Sequence, residues 1–254
     1  MMTSTVLSMY DDVPCDELRA RSGAPQLIAV ERCTSTMDLA HQLAAAGAPH
    51  GTVVVAEEQG AGRGRTGKSW VSARGSGVWT SIVLRRPLEA AAGVLSLRVG
   101  LELATALDAR APSAIQLKWP NDLFLAQHKL AGVLTEARWR GDMLEWIVVG
   151  VGVNVRDPHA EVPTACLGDS QRRSDVLVDV VRAVMAAAAH RGELSARELA
   201  AYAERDLARG RDVTAPLEGI VLGITARGGV HVRTPGGDAV AVAGSLVFRS
   251  PLAE

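Results

Sequence analysis

The sequence predicts an α+β fold: a mixed, mainly antiparallel sheet flanked by helices, followed by a small C-terminal β-barrel. Three observations predict it. Two strand-like runs, "KLAGVLTEARW" and "EWIVVGVGVNV", are joined through the polar turn "RWRGDM" and read as an antiparallel hairpin. Helical periodicity fills residues 88–110 and recurs within 174–208, behind the polar break "GDSQRRSD". After Arg209 the pattern changes to short strands separated by Gly turns, which is barrel-like.

A chain of 254 residues holds one large domain and a small one. The expected division is an N-terminal extension over 1–24, a catalytic domain over 25–208 and the β domain over 209–254. Hydrophobic residues make up 48% and charged residues 22%, an ordinary globular composition. With 27 basic against 28 acidic side chains, net charge is −1, which disfavours a nucleic-acid polymer as the main partner. Residues 1–24 contain Arg19 and Arg21 as their only basic side chains and are too few for a winged helix, so no DNA binding is expected. The start lacks a basic region followed by an apolar run, and no apolar stretch approaches ~20 residues, so neither signal peptide nor membrane span is expected. Cys15, Cys33 and Cys166 form no CxxC pair or disulfide framework, which suits a cytoplasmic location.

Within the larger domain, "CTSTMDLAHQLAAAGAP" is the first helix. Ser35 or Thr34 caps it, an apolar stripe runs through Met37, Ala40 and Leu43–Ala44, and Gly47 stops it. Hydroxyls and free amides at such a start also suit a neutral polar head group. The strand "TVVVA" follows, and then "EEQGAGRGRTGKSW". Its "GRGRTGKS" satisfies the phosphate-loop expression G-x-x-x-x-G-K-[ST]. The context does not. A phosphate loop joins a strand directly to a helix, whereas here "EEQGA" intervenes and "WVSARGSGVWTSIVLRRP" reads as turn then strand. What remains is a glycine-rich loop carrying Arg63, Arg65 and Lys68, costly to order alone and ordered by an arriving anion. The alternative is a solvated loop with incidental charge.

Further on, "LKWPNDLFLAQHKLAGVLTEARW" sets Lys118, Asn121, Asp122 and Lys129 around a Trp-Pro turn. Lys129, at the head of its strand, can reach a pocket, and Gly132 permits close approach on the opposite-phase face; a plain polar hairpin is the alternative. In "GVGVNV", valines 149, 151, 153 and 155 share one face, and Gly150, Gly152 and Asn154 the other. The valine face requires a core. The glycine face is wasteful unless something flat lies on it, or another element packs tightly there.

The segments "STM" (35–37), "EEQGAGRGRTGKSW" (57–70), "KWPNDL" (118–123), "KLAGVL" (129–134) and "GVGVNV" (150–155) together resemble the biotin protein ligase family, in order and spacing, over roughly residues 25–250. The resemblance implies a core similar to class II aminoacyl-tRNA synthetases with an SH3-like C-terminal domain. It implies ATP-dependent formation of biotinyl-5′-AMP, with Mg2+, then transfer of biotin to a lysine of a biotin carboxyl carrier domain. Arg63, Asp122 and Lys129 are the implied catalytic residues. Ser35, Thr36, Met37, Gln59, Arg63, Gly64, Arg65 and Lys129 are implied around biotin, and Arg65, Lys68, Trp70, Asn121, Lys129 and Asn154 around the nucleotide; the metal ligands are not implied. Lipoyl ligases share the fold but differ at the arginine loop, and a non-catalytic biotin sensor would lack Lys129 or the nucleotide side. Met37 stands where the family commonly has asparagine, and Lys68 where it often has arginine, exchanging a fork for a point charge.

Overall fold

The computed structural model describes residues 5–85 and 92–250. Its strands are β1 (Val6–Leu7), β2 (Met9–Tyr10), β3 (Val13–Pro14), β4 (Leu27–Cys33), β5 (Thr52–Gln59), β6 (Gly77–Leu84), β7 (Gln116–Lys118), β8 (Asp122–Leu125), β9 (His128–Arg140), β10 (Met143–Asn154), β11 (Asp212–Ala215), β12 (Gly219–Ile224), β13 (Val230–Thr234), β14 (Gly237–Ala241) and β15 (Val247–Phe248). Its α-helices are α1 (Cys15–Ser22), α2 (Thr36–Ala45), α3 (Leu95–Leu107), α4 (Arg173–Ala189) and α5 (Ala196–Arg205).

Eight strands form the main sheet in the order β1-β4-β5-β6-β10-β9-β8-β7. Only the β4–β5 pair is parallel, with α2 as its crossover; every other neighbouring pair is antiparallel. The sheet is therefore mixed and mainly antiparallel, as the sequence predicts. β9 and β10 form the expected hairpin, turning at Gly141 with φ +57°.

The valine face of β10 is buried, as alternation requires: Val149, Val151, Val153 and Val155 join one core with α3 and α4. A smaller cluster on the opposite face packs Met37, Ala40 and Ala44 of α2 against Val54, Val83 and Val148. The helix expected over 88–110 is shorter: α3 spans Leu95–Leu107 with a 3-10 turn to Arg110, and residues 86–91 lie outside the described residues. Residues 174–208 contain two helices, α4 and α5; Ser195 and Glu198 cap α5 reciprocally.

The described part of residues 1–24 is built into the larger core. β1 pairs with Ala29 and Val30 of β4, and Tyr10 and Leu18 are fully buried. Asp11 caps α4 through the Ser174 amide and pairs with Arg173, which also binds Glu57.

The C-terminal segment is a five-stranded antiparallel sheet, β14-β13-β12-β11-β15. It is compatible with an SH3-like domain, but among the described residues no pairing joins β14 to β15, so the expected barrel is open. The indole of Trp119, buried in the Trp-Pro turn, donates to the Gly228 carbonyl at 2.8 Å and ties this sheet to the main one. No helix among the described residues is long and apolar enough to cross a membrane.

Candidate active site

A cavity of about 500 Å³ opens where α2, β5, β10 and the glycine-rich loop meet the β7–β8 turn and β15. Its two ends differ in chemistry. One end is neutral. Ser35 is the N-cap of α2, its hydroxyl accepting from the Met37 amide; of the two candidate caps, Thr34 instead gives its carbonyl to Ala61. The Thr36 amide and hydroxyl both donate to Gln59 Oε1 (2.8 and 3.1 Å), and Gln59 Nε2 donates to Ser72 Oγ at 2.8 Å. Thr36 Oγ1 also lies 2.8 Å from Ser81 Oγ. The orientation of Gln59 is thus set from both sides.

The other end is cationic. Arg63, Arg65, Lys68, Lys118 and Lys129 line the cavity against one carboxylate, Asp122. Lys129 Nζ lies 2.7 Å from Asp122 Oδ1 and 5.0 Å from the centre of the Trp70 ring. Asn121 anchors the β7–β8 turn by donating its amide to the Val133 carbonyl at 2.7 Å. Burial pulls the Arg65 guanidinium down from its usual range, with Asp122 opposing, and its Nη1 is buried without a partner. Lys118 is likewise lowered by burial, opposed by Asp122 and reinforced by Lys129 and Lys68. Cations held from water without full neutralisation attract an anion.

The loop itself is a tight hairpin: Gly64 N donates to Lys68 O, Trp70 N to Gly62 O, and Arg63 bridges to Ser69. Only a single 3-10 turn, Arg65–Gly67, interrupts it, and no helix follows Ser69. The phosphate-loop context is absent, as the sequence implied. Arg63 leans outward, 2.9 Å from Asp38 and 3.4 Å from Glu136, whose carboxylate also meets His41 at 3.0 Å.

Two features answer the glycine pattern of β9 and β10. The flat body on the glycine face is the protein's own Trp70: a Cβ on Gly152 would sit 2.7 Å from its indole, and one on Gly150 would sit 2.6 Å from Met37 Sδ. On β9, Gly132 does not lie opposite in phase to Lys129. The register slips between Leu123 and Phe124, leaving Leu130 as an extra residue. That bulge turns Lys129 and Gly132 to the same side, both near Asp122.

Of the site residues implied by the resemblance, all but Asn154 line the cavity. Asn154 is buried beside it and donates its amide to the carbonyls of Ala165 (3.1 Å) and Lys129 (3.4 Å), so it supports the lysine's backbone. Thr80 lines the neutral end, Ser72 and Ser81 support it through Gln59 and Thr36, and Ser245 to Phe248 belong to the wall. The serines are small polar residues inside apolar strands, a weak signal. Nothing local marks residues 245–248, which arrive through the fold of the small sheet. Among the described residues no three His, Cys, Asp or Glu side chains gather as a metal site.

Comparison with known proteins gives the family. Residues 29–154 match the model of the Biotin/lipoate A/B protein ligase family. A biotin–[acetyl-CoA-carboxylase] ligase of Paracoccus denitrificans is 32% identical over 214 residues, covering 77% of this chain and 89% of that one. The bifunctional ligase/repressor BirA of Bacillus spizizenii is 37% identical over 139 residues, 54% of this chain; the chain spans only 42% of that relative's length, and 40% of its Bacillus subtilis counterpart. The biotin protein ligase of Aquifex aeolicus, solved with biotin and ATP, superposes with a TM-score of 0.74 at 27% identity, covering 89% of this chain and 99% of that one. With the Paracoccus relative aligned over most of both chains, the chain belongs to the Biotin/lipoate A/B protein ligase family, among its biotin protein ligases.

Proposed function

We propose that the protein activates biotin with ATP and transfers it to a lysine of a biotin carboxyl carrier domain. The observation that carries this reading is the asymmetry of the cavity: five cations and one carboxylate at one end, a neutral hydroxyl–amide network at the other. Biotin is an apolar body with a neutral ureido ring and a carboxylate. Ser35, Thr36 and Gln59 suit the ring, with Met37 and Gly150 as the apolar wall. The carboxylate would then project toward Gly64, Arg65 and Lys129, where a triphosphate also fits.

In the first half-reaction, a biotin carboxylate oxygen bonds to the α-phosphorus of ATP and the bond to pyrophosphate breaks. Negative charge concentrates on the α-phosphate as this happens. Arg63, Arg65 and Lys129 are the groups to stabilise it, and loss of one such preorganised contact commonly costs ~2.7–4 kcal/mol. Lys68, Trp70 and Asn121 serve the nucleotide, and Asn154 acts through Lys129. In the second half-reaction, the carrier's lysine amine attacks the acyl carbon and AMP leaves; Asp122, beside Lys129, is placed to orient that amine or take its proton. Magnesium fits as an ion carried largely by the phosphates, with Asp122 as the cavity's one carboxylate. When bound it neutralises phosphate charge.

In this reading residues 25–208 carry the catalytic site and residues 209–254 close one wall of it. Three free cysteines suit a cytoplasmic setting. A lipoyl ligase remains the competing reading of the fold. The test is incubation with ATP, magnesium, carrier domain and either biotin or lipoate. A mass increase on one carrier lysine with biotin is expected; modification with lipoate alone would refute the proposal.

A further inference from the structure

The small sheet contributes one side chain to the cationic end whose role follows from its contacts. Phe248 lies on β15, paired with Val213 of β11. The next residue, Arg249, binds Asp212 at 2.7 Å and Glu218 at 2.5 Å, which fixes the strand. The Phe248 ring centre lies 5.1 Å from Lys118 Nζ, and the Phe124 ring centre 5.6 Å from it. Phe124 is 8% exposed and belongs to β8 of the main sheet. The Lys118 ammonium is therefore in contact with one ring from each sheet.

This arrangement differs from that of Lys129. Lys129 has a carboxylate partner 2.7 Å away, which offsets its charge. Lys118 has lost water to burial, and no carboxylate among the described residues forms an ion pair with it. Ring faces attract a cation without neutralising it and offer no lone pair to its N–H groups. Its charge and its three donors stay available to an anion in the cavity.

We propose that Phe248 is a positioning residue: with Phe124 it clamps the Lys118 ammonium at the cavity wall, so that the small sheet completes the anion-binding end of the site. The clamp rests on the proposed function only for the identity of the anion.

The test compares F248L, which removes the ring, with F248Y, which keeps it, and K118M, alone and combined with F248L. Calorimetry measures ATP, inorganic pyrophosphate and biotin binding, and carbon-13 NMR of lysine-labelled protein follows the Lys118 Cε signal. In the unaltered protein that signal should show a ring-current displacement. F248L should remove much of it and weaken ATP and pyrophosphate binding about five-fold, as expected for ~1 kcal/mol of cation–π attraction. F248Y should behave like the unaltered protein, and F248L should add nothing in the K118M background. Biotin, whose single carboxylate projects toward Arg65 and Lys129, should lose less affinity than pyrophosphate in every variant.

Unchanged pyrophosphate affinity in F248L, an additive loss in K118M, or no ring-current displacement in the unaltered protein would overturn the clamp. Absence of that displacement would overturn the clamp even if F248L fails to fold, and F248Y then supplies the comparison. If the clamp results hold while biotin and ATP yield no pyrophosphate, the functional reading fails and the clamp stands.

Discussion

Gly152→Ala isolates the geometry of the site in a single methyl group. The new Cβ would sit 2.7 Å from two indole atoms of Trp70 and 3.0 Å from a third. That is some 0.8 Å inside the ~3.5 Å of ordinary carbon contact. The clash cannot be relieved at the tip of a flexible chain, because the obstacle is a rigid ring. Trp70 also packs edge-on against Trp79, with centroids 6.4 Å apart, and Trp79 is buried. The indole must therefore move toward the cavity, where Lys129 Nζ lies over it. Overpacking of this kind costs ~1–3 kcal/mol of stability. Displacing a reacting group by nearly 1 Å costs on the order of 100-fold in rate. Biotin- and ATP-dependent pyrophosphate release should thus fall about 100-fold in kcat/KM, while urea denaturation shows a loss near 2 kcal/mol. Gly150→Ala offers the control. Its obstacle is the thioether of Met37, and shortening that side chain (Met37→Ala) should restore much of the loss, which no such change at Met37 should do for Gly152→Ala. Activity of Gly152→Ala within two-fold of the unaltered protein would refute the reasoning.

Lys129→Ala should lower adenylate formation by at least ~100-fold with the thermal transition preserved, since one preorganised contact is worth ~2.7–4 kcal/mol; pyrophosphate release equal to the unaltered protein's would remove Lys129 from the chemistry. Hydrogen exchange over residues 60–68 should slow on adding biotin plus ATP, because ligand would bridge Arg65 and Lys68 across a loop otherwise held mainly by its own backbone; equal exchange with and without ligand argues against that role. Asp206, at the end of α5, is pushed up by burial to about 6 from 3.8. Its folded-state pKa is raised, so the folded protein binds the extra proton between those values and stability falls as pH rises through that window, by at most ~3 kcal/mol. Asp206→Asn keeps the oxygen that accepts from the Ala208 amide at 2.9 Å and should be more stable than the unaltered protein at pH 8, with the advantage vanishing near pH 4. Urea melts showing the same difference at both pH values would contradict this.

The fold was legible where one periodicity ruled a segment. Valines at every second position of β10 specify a buried face, and the Gly turn after Arg140 specifies a hairpin. Less could be read where local pattern and tertiary context part. The bulge at Leu130 carries no sequence mark, since an extra apolar residue inside an apolar strand looks like continuity. Yet it decides that Lys129 and Gly132 face the same way. The open five-stranded sheet reads like a barrel, because Gly-punctuated short strands set strand number and turns but not closure. The N-terminal residues read as an extension, while burial of Tyr10 and Leu18 depends on partners far along the chain.

The site shows the same division. Composition and spacing showed a cationic loop, open to an anion or to solvent, because charge must be present whatever the fold. They could not say which charges are already paired. Arg63, the first cation of the loop, leans on Asp38 and Glu136, whereas Arg65 keeps a buried, unpartnered nitrogen. Binding of an anion by Arg63 must therefore offset two ion pairs that are about 40% exposed and individually worth ~0–1 kcal/mol, so their loss is a minor opposing cost. Arg65 gives up nothing comparable. Of the two arginines that the loop supplies, Arg65 should then account for the larger share of anion affinity, and Arg65→Ala should weaken pyrophosphate binding more than Arg63→Ala. A larger loss for Arg63→Ala, measured by calorimetry on the folded variants, would show that the outward ion pairs do not persist in solution.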